Sequence, residues 1–213
     1  MKAADWQAII FDFDGVVVES GKIKTQAFAE LYRPYGEEIV AAVVQFHNQN
    51  GGLSRYRKFR YFQQHFLNKP PLTAEEENEL DQRFSELVVE AVIASDAVPG
   101  AVELIRQQAT QIPLFVASGT PENELKVIVE RRGLTPYFKA VRGAPALKQT
   151  LIAEILSAHA LKPESVLMIG DAMADYEGAQ ANGTAFLGRV LPGDPNPFPA
   201  HVQIVPDLCA LIT

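Results

Sequence analysis

Asp12 and Asp14 stand two residues apart where a short apolar run, Ala8-Ile9-Ile10-Phe11, gives way to Gly15. Two carboxylates that close repel by roughly 4 kcal/mol at ~4 Å and an effective dielectric near 20. A fold that keeps them together normally offsets this with a cation. Gly15 permits the tight backbone turn that such a strand end needs. A second acidic pair, Asp171 and Asp175, follows another apolar run, Val166-Leu167-Met168-Ile169. Oxygen-only ligands converging on an open cleft suit Mg²⁺, which keeps several waters and also binds substrate phosphate. One such aspartate alone would be read as a helix N-cap or a solvated turn former. Four on one edge of a sheet fit that reading poorly.

Ser118-Gly119-Thr120 follows a third apolar run, Leu114-Phe115-Val116-Ala117, and precedes a helix expected to begin near Pro121. A hydroxyl with backbone N–H groups at a helix N-terminus makes an anion site, or an ordinary cap. Lys148 opens the next helix, an unfavourable place for a cation, so pairing with Asp or phosphate is expected of it. A carboxylate nucleophile, a second carboxylate placed for proton transfer, a Mg²⁺ site, a hydroxyl and a lysine are the parts that phosphoryl transfer needs. An aspartate attacking phosphorus would form an aspartyl-phosphate, with the metal and the lysine neutralising charge around it.

The three apolar runs do not alternate with polar residues, the pattern of strands buried on both faces of a parallel sheet. Helical patterns separate them: Val102 to Gln108, Glu122 to Arg132, Lys148 to Ala160 and Asp175 to Ala181. Alternating strand and helix implies right-handed crossovers and a doubly wound, Rossmann-like, mostly parallel α/β sheet. Ligands of such sheets bind beyond the carboxyl ends of the strands, so all the polar clusters fall on one edge. Ala140–Arg142, Thr184–Leu187 and Val202–Val205 are further strand candidates, the last before a short terminal helix. Pro192, Pro195, Pro197 and Pro199 mark a loop between two of them.

From Val17 to about Asp96 no strand is expected, and apolar residues recur at helical spacing. Thr73 and Glu76 have the form of a capping box. About 80 residues of helix is too long for an ordinary crossover. The expected organisation is an α/β core over 1–16 and 97–213, with an all-helical cap domain inserted over 17–96. Its hinges would be Val16 to Ser20 and Ser95 to Pro99.

Composition narrows the partners. The 213 residues are 47% hydrophobic and 21% charged, a globular ratio, and no apolar run approaches the ~18 residues of a membrane span. The first residues, Met1 to Trp6, carry no signal-peptide pattern. The lone Cys209 precludes an internal disulfide and suits a reducing cytoplasm. A net charge of −7 argues against a nucleic-acid partner. The expectation is a cytoplasmic protein, monomer or homodimer, that acts on a small molecule.

Asp12-Phe13-Asp14-Gly15-Val16-Val17-Val18-Glu19-Ser20, Val116-Ala117-Ser118-Gly119-Thr120, Lys148 and Gly170-Asp171-Ala172-Met173-Ala174-Asp175 resemble the four motifs of the haloacid dehalogenase superfamily, in order and along the whole chain. The helical insert resembles the cap of its phosphoglycolate phosphatase and β-phosphoglucomutase branch. The resemblance implies Asp12 as nucleophile, Asp14 as general acid and base, and Ser118 and Lys148 as phosphate and charge partners. It also implies Mg²⁺ held by Asp12, the Asp14 carbonyl and Asp171, with Asp175, Gly119 and Thr120 in support. The expected activity is a Mg²⁺-dependent phosphatase acting on a small phosphorylated metabolite, a sugar phosphate or a phosphoglycolate-like acid. A sugar-phosphate mutase and a receiver-like phospho-acceptor are the alternatives, the second opposed by the cap and by Asp14.

Departures narrow the reaction. Members that cleave carbon–halogen bonds lack the second aspartate, so Asp14 argues against dehalogenation. Phosphonoacetaldehyde hydrolases also replace it and rely on a cap lysine. β-Phosphoglucomutases usually carry a histidine where this chain has Lys24, which weakens the mutase reading. The Lys-Pro-x-Pro usual around the third motif is here Ala146-Leu147-Lys148-Gln149-Thr150.

In the cap, four basic residues fall within six positions, Arg55-Tyr56-Arg57-Lys58-Phe59-Arg60, after Gly51-Gly52-Leu53-Ser54. They are either a solvated helix face packed through Tyr56, Phe59 and Phe62 or a specificity loop facing the core. Related caps place a Ser-Arg pair after glycine near the site, which selects Gly52, Ser54 and Arg55 as substrate residues. Arg55 is then expected to contact an anionic or hydroxyl-rich part of the substrate.

Overall fold

The computed structural model describes residues 6–212, so the expectation about the N-terminal Met1 to Asp5 lies outside the described residues. Six strands form one sheet: β1 (Ala8–Phe11), β2 (Leu114–Pro121), β3 (Ala140–Ala144), β4 (Val166–Gly170), β5 (Ala185–Arg189) and β6 (Ile204–Val205). Their order is β3-β2-β1-β4-β5-β6, and every pairing is parallel. All four residues of β1 and all five of β4 are buried, which is why neither run alternates. β1 is central, and the chain winds outward from it in both directions. This sets the carboxyl ends of β1, β2 and β4 side by side.

The crossovers are the helices α5 (Ala101–Gln108), α6 (Glu122–Arg131), α7 (Lys148–Ala158) and α8 (Met173–Asn182). Between β1 and α5 lie α1 (Gly21–Tyr32), α2 (Glu37–Gln49), α3 (Arg55–His65) and α4 (Ala74–Ala94), with no strand of the sheet among them. Thr73 and Glu76 close the expected capping box, Thr73 Oγ1 accepting from Glu76 N at 3.2 Å and Glu76 Oε2 from Thr73 N at 2.8 Å. Phe28, Phe59, Phe62 and Phe84 are fully buried where these four helices meet, edge to face in several pairs. The two connectors run side by side: Glu19 N donates to Asp96 O at 3.0 Å, and Val98 N to Val17 O at 3.1 Å.

Several boundaries differ from the periodicity, most of them by one or two residues. β2 runs on to Pro121, because a register shift against β3 between Ala117 and Pro121 keeps the chain extended. Ser118, Gly119 and Thr120 are therefore strand residues. α8 starts at Met173, since Asp175 Oδ2 accepts from Ala172 N at 3.1 Å and so caps the first turn from inside it. β6 is only two residues long, with Val202 N turned back onto Pro199 O, and the terminal helix is a 3₁₀ turn, Cys209–Leu211. Among the described residues, no helix is long and apolar enough to cross a membrane.

Candidate active site

Lys148, buried at the first position of α7, ties together β2, the residue after β1 and the first turn of α8. Its Nζ lies 2.9 Å from Asp12 Oδ1 and 2.6 Å from Asp175 Oδ1 and donates to Ala117 O at 2.7 Å. These partners account for a cation at a helix N-terminus. Phe13 N also donates to Asp12 Oδ1 at 2.7 Å, so that carboxylate is held in one orientation. Asp12, Asp171 and Asp175 bring carboxylate oxygens within 4.8 Å of one another. Burial and the neighbouring Asp175 push the Asp12 carboxyl up to about 7. Burial and Asp12 raise Asp171 well above the ordinary carboxylate range. Burial opposes the charge of Lys148, but Asp12 and Asp175 raise its pKa above the ordinary lysine value. One ammonium among three carboxylates leaves an excess of negative charge.

Gly15 makes this crowding possible. It sits at φ +76°, and a Cβ there would collide with the Asp171 carboxylate. Arg189, at the end of β5, holds the same turn. It donates to Gly15 O at 3.0 Å and makes a two-pronged pair with Glu19 at 2.6 and 3.0 Å.

The Asp14 side chain turns away from this cluster. It accepts from Ser20 Oγ at 2.6 Å and Thr120 Oγ1 at 2.7 Å, and pairs with Lys24 Nζ, which also donates to Thr120 Oγ1 at 2.8 Å. Burial would raise its pKa, but Lys24 and the two hydroxyls lower it to about 2. Ser118 Oγ lies 3.4 Å from the same carboxylate and accepts from Thr120 N at 3.1 Å. The side-chain cluster thus includes Asp175, expected only in support, and omits the Asp14 carboxylate; the resemblance assigned Asp14's carbonyl to the metal.

The cap loop reaches the core, as its glycines suggest. A Cβ on Gly119 would stand 2.7 Å from Gly52 O, and one on Gly52 3.1 Å from Ala174 Cβ. Two clefts open on either side of this contact. One is lined by Asp12, Asp14, Ser118, Asp171 and, from the inserted helices, Lys24, His47, Arg55 and Lys58. Ser54 and Lys148 line the other. Ser54 occupies the cap position of α3 without a side-chain hydrogen bond.

Arg55 lines the first cleft and is also engaged by partners on two helices. Its guanidinium donates to Glu124 Oε2 at 2.9 Å and to Ser85 Oγ at 2.8 Å, makes a second contact to Glu124, and pairs with Asp81 at 3.2 Å. Phe84 covers it at 4.5 Å. Four acceptor atoms on α4 and α6 engage it, so it bridges these two helices.

Residues 6–183 match the family described as haloacid dehalogenase-like hydrolase. The chain belongs to this family. A curated relative, the phosphoglycolate phosphatase of Synechococcus elongatus, is 26% identical across 83% of this chain and 80% of its own. The haloacid dehalogenase-like chain is therefore an enzyme, a hydrolase. Its fold is also that of β-phosphoglucomutase from Clostridium difficile (TM-score 0.78, 18% identity, 97% and 93% coverage). A second solved structure alike in fold is CbbY from Rhodobacter sphaeroides in complex with phosphate (TM-score 0.74, 18% identity, 97% and 96% coverage).

For this hydrolase, the all-oxygen donor set and the space left by Gly15 fit a hard divalent ion such as Mg²⁺. Sequence reasoning passed over Lys24 as a partner of Asp14, and also His47, Lys58 and Arg189. Lys58 had a signal: Arg55, Lys58, Phe59 and Phe62 are spaced i, i+3, i+4 and i+7, one helical face, and all four are buried. Arg189 had none, because Gly15 and Glu19, the partners that bring it to the site, lie 170 residues and more away.

Proposed function

We propose that this hydrolase is a Mg²⁺-dependent phosphatase that cleaves a small phosphorylated metabolite, a sugar phosphate or a phosphoglycolate-like acid, through an aspartyl-phosphate on Asp12. The observation that carries the reading is the fixed Asp12 carboxylate, anchored by Lys148 and Phe13 N beside two further carboxylates. Asp12 and Asp171, with the Asp14 carbonyl, would hold the ion, and Asp175 would position Lys148. When bound, Mg²⁺ supplies positive charge that keeps Asp12 ionised and offsets the phosphoryl oxygens.

Asp12 attacks phosphorus, forming an O–P bond as the ester O–P bond breaks. The departing oxygen takes a proton from Asp14, which must first leave the Lys24 and hydroxyl contacts that keep it ionised and take up a proton from solvent. Asp14 then takes a proton from the water that attacks the aspartyl-phosphate, which returns Asp12 and releases phosphate. To meet the leaving group, the Asp14 carboxylate must exchange its contacts with Lys24 and Thr120. Lys148 and Ser118 contribute fixed positive and hydroxyl dipoles around the phosphoryl group. The cap loop at Gly52 excludes water over Gly119 and Ala174. The division into core and cap, with hinges at Val16 to Ser20 and Ser95 to Pro99, belongs to the same proposal.

A panel of phosphorylated metabolites assayed for phosphate release with Mg²⁺ tests this. Release from at least one small ester, lost on chelation and restored by Mg²⁺, supports it. Metal-independent release contradicts it. Conversion of a hexose 1-phosphate to its 6-phosphate without phosphate release would select the mutase instead.

A further inference from the structure

Each cation that lines the cleft has a carboxylate partner, with one exception. Lys24 pairs with Asp14, and Arg55 with Glu124 and Asp81. Lys58 of α3 is 2% exposed and lines the same cleft as Asp12 and Ser118. Its ammonium has three donors, and among the described residues its one hydrogen-bond partner is Nδ1 of His47 on α2, at 2.8 Å. Phe28 of α1 packs 5.5 Å away. A buried ammonium without a paired carboxylate is costly, and burial with the nearby Lys24 pulls this one down to about 7 although Asp171 and Asp14 act in the other direction. His47 is held neutral by burial and by Lys58 itself, so its ring nitrogen accepts and directs the ammonium rather than competing for an anion.

Charge across the cleft sharpens the point. The phosphoryl end of a substrate would meet Asp12 and Ser118 on the core side of this cleft, whereas Lys58 comes from α3 on the other side, where the leaving group would lie. Resting on the phosphatase reading, we infer that the leaving group of the substrate carries a second anionic group, a carboxylate or a second phosphate, which Lys58 binds. His47 is its positioning residue. An uncharged alcohol or plain sugar in that place would leave the ammonium unsatisfied.

The test compares three esters, with Mg²⁺ present: 2-phosphoglycolate (carboxylate), a sugar bisphosphate (second phosphate) and ethyl phosphate (neither). For each, kcat/KM is measured in the wild type, Lys58→Met and Lys58→Arg. The expected result is a wild-type preference for one of the two anion-bearing esters over ethyl phosphate that falls about 10–100-fold in Lys58→Met and is largely kept in Lys58→Arg. Which ester shows it identifies the anion. An unchanged preference, including one in which all rates fall together, overturns the inference. Thermal protection by the same three compounds reads binding without turnover. If the wild type hydrolyses none of them, the phosphatase reading is decided separately, by the wider panel of esters. The inference then stands only if protection by an anion-bearing ester exceeds that by ethyl phosphate in the wild type but not in Lys58→Met. The unliganded Lys58→Met protein should also melt about 2–4 °C higher, since it removes an uncompensated buried charge. A lower melting temperature would make Lys58 a structural residue and count against the inference.

Discussion

At the residue scale the site turns on how few cations serve its carboxylates. Lys148 alone pairs with Asp12 and Asp175, and removing one member of a buried ion pair typically costs about 3–5 kcal/mol. Lys148→Met should therefore lower the melting temperature by roughly 6–20 °C for a chain of this size and remove activity. Added Mg²⁺ should recover part of the stability but none of the turnover. Calorimetry with and without the ion checks this, and a variant as stable as the wild type would refute the shared-cation account. The aspartates and Lys148 were legible in the sequence because their types and strand-end positions announce them. Lys24 was legible only as a departure from a mutase pattern, since its contact with Asp14 depends on how α1 leaves its connector.

At the element scale, α3 shows where pattern reading stopped. Its basic run admitted two readings, a solvated face or a specificity loop. The structure divides the run between them: Arg57 and Arg60 lie outward, while Arg55 and Lys58 share the buried face with Phe59 and Phe62. Arg55, an expected substrate residue, also binds Glu124, which lies 69 residues away in sequence, and no local signal reveals such a partner. Arg55→Ala should cost about 3 kcal/mol, the lower end for a buried pair because Asp81 is partly exposed. It should also slow p-nitrophenyl phosphate and metabolite esters to a similar degree, since the lost tie joins cap to core. Steady-state kinetics on both ester types decides the matter. A loss confined to the metabolite would return Arg55 to the substrate.

At the scale of the whole molecule, the parallel sheet was legible because its central strands are buried on both faces, and the four cap helices because apolar spacing and the Thr73 box mark them. The extension of β2 to Pro121 was not, as it depends on a bulge against β3. Stability should carry the mark of Lys58. Below about pH 7 this lysine is charged folded and unfolded, and the burial penalty is complete. As pH rises from about 7 to the ordinary lysine value near 10.5, the unfolded chain binds the extra proton and the contribution to stability rises. The groups facing Lys58 are His47, Lys24, Asp14 and Asp171. Subtracting the stability profile of Lys58→Met from that of the wild type isolates it. The gap should narrow over pH 7–10.5, and a gap that stays constant would show an ordinary lysine.

The claim on which the rest depends is that Asp12 becomes phosphorylated. Rapid acid quench of the enzyme with a ³²P-labelled substrate and Mg²⁺, followed by peptide mapping, tests it most directly. The account predicts label on Asp12 that hydroxylamine removes, and neither label nor turnover in a folded Asp12→Asn protein. Turnover that persists in Asp12→Asn, or label on any other residue, would contradict it.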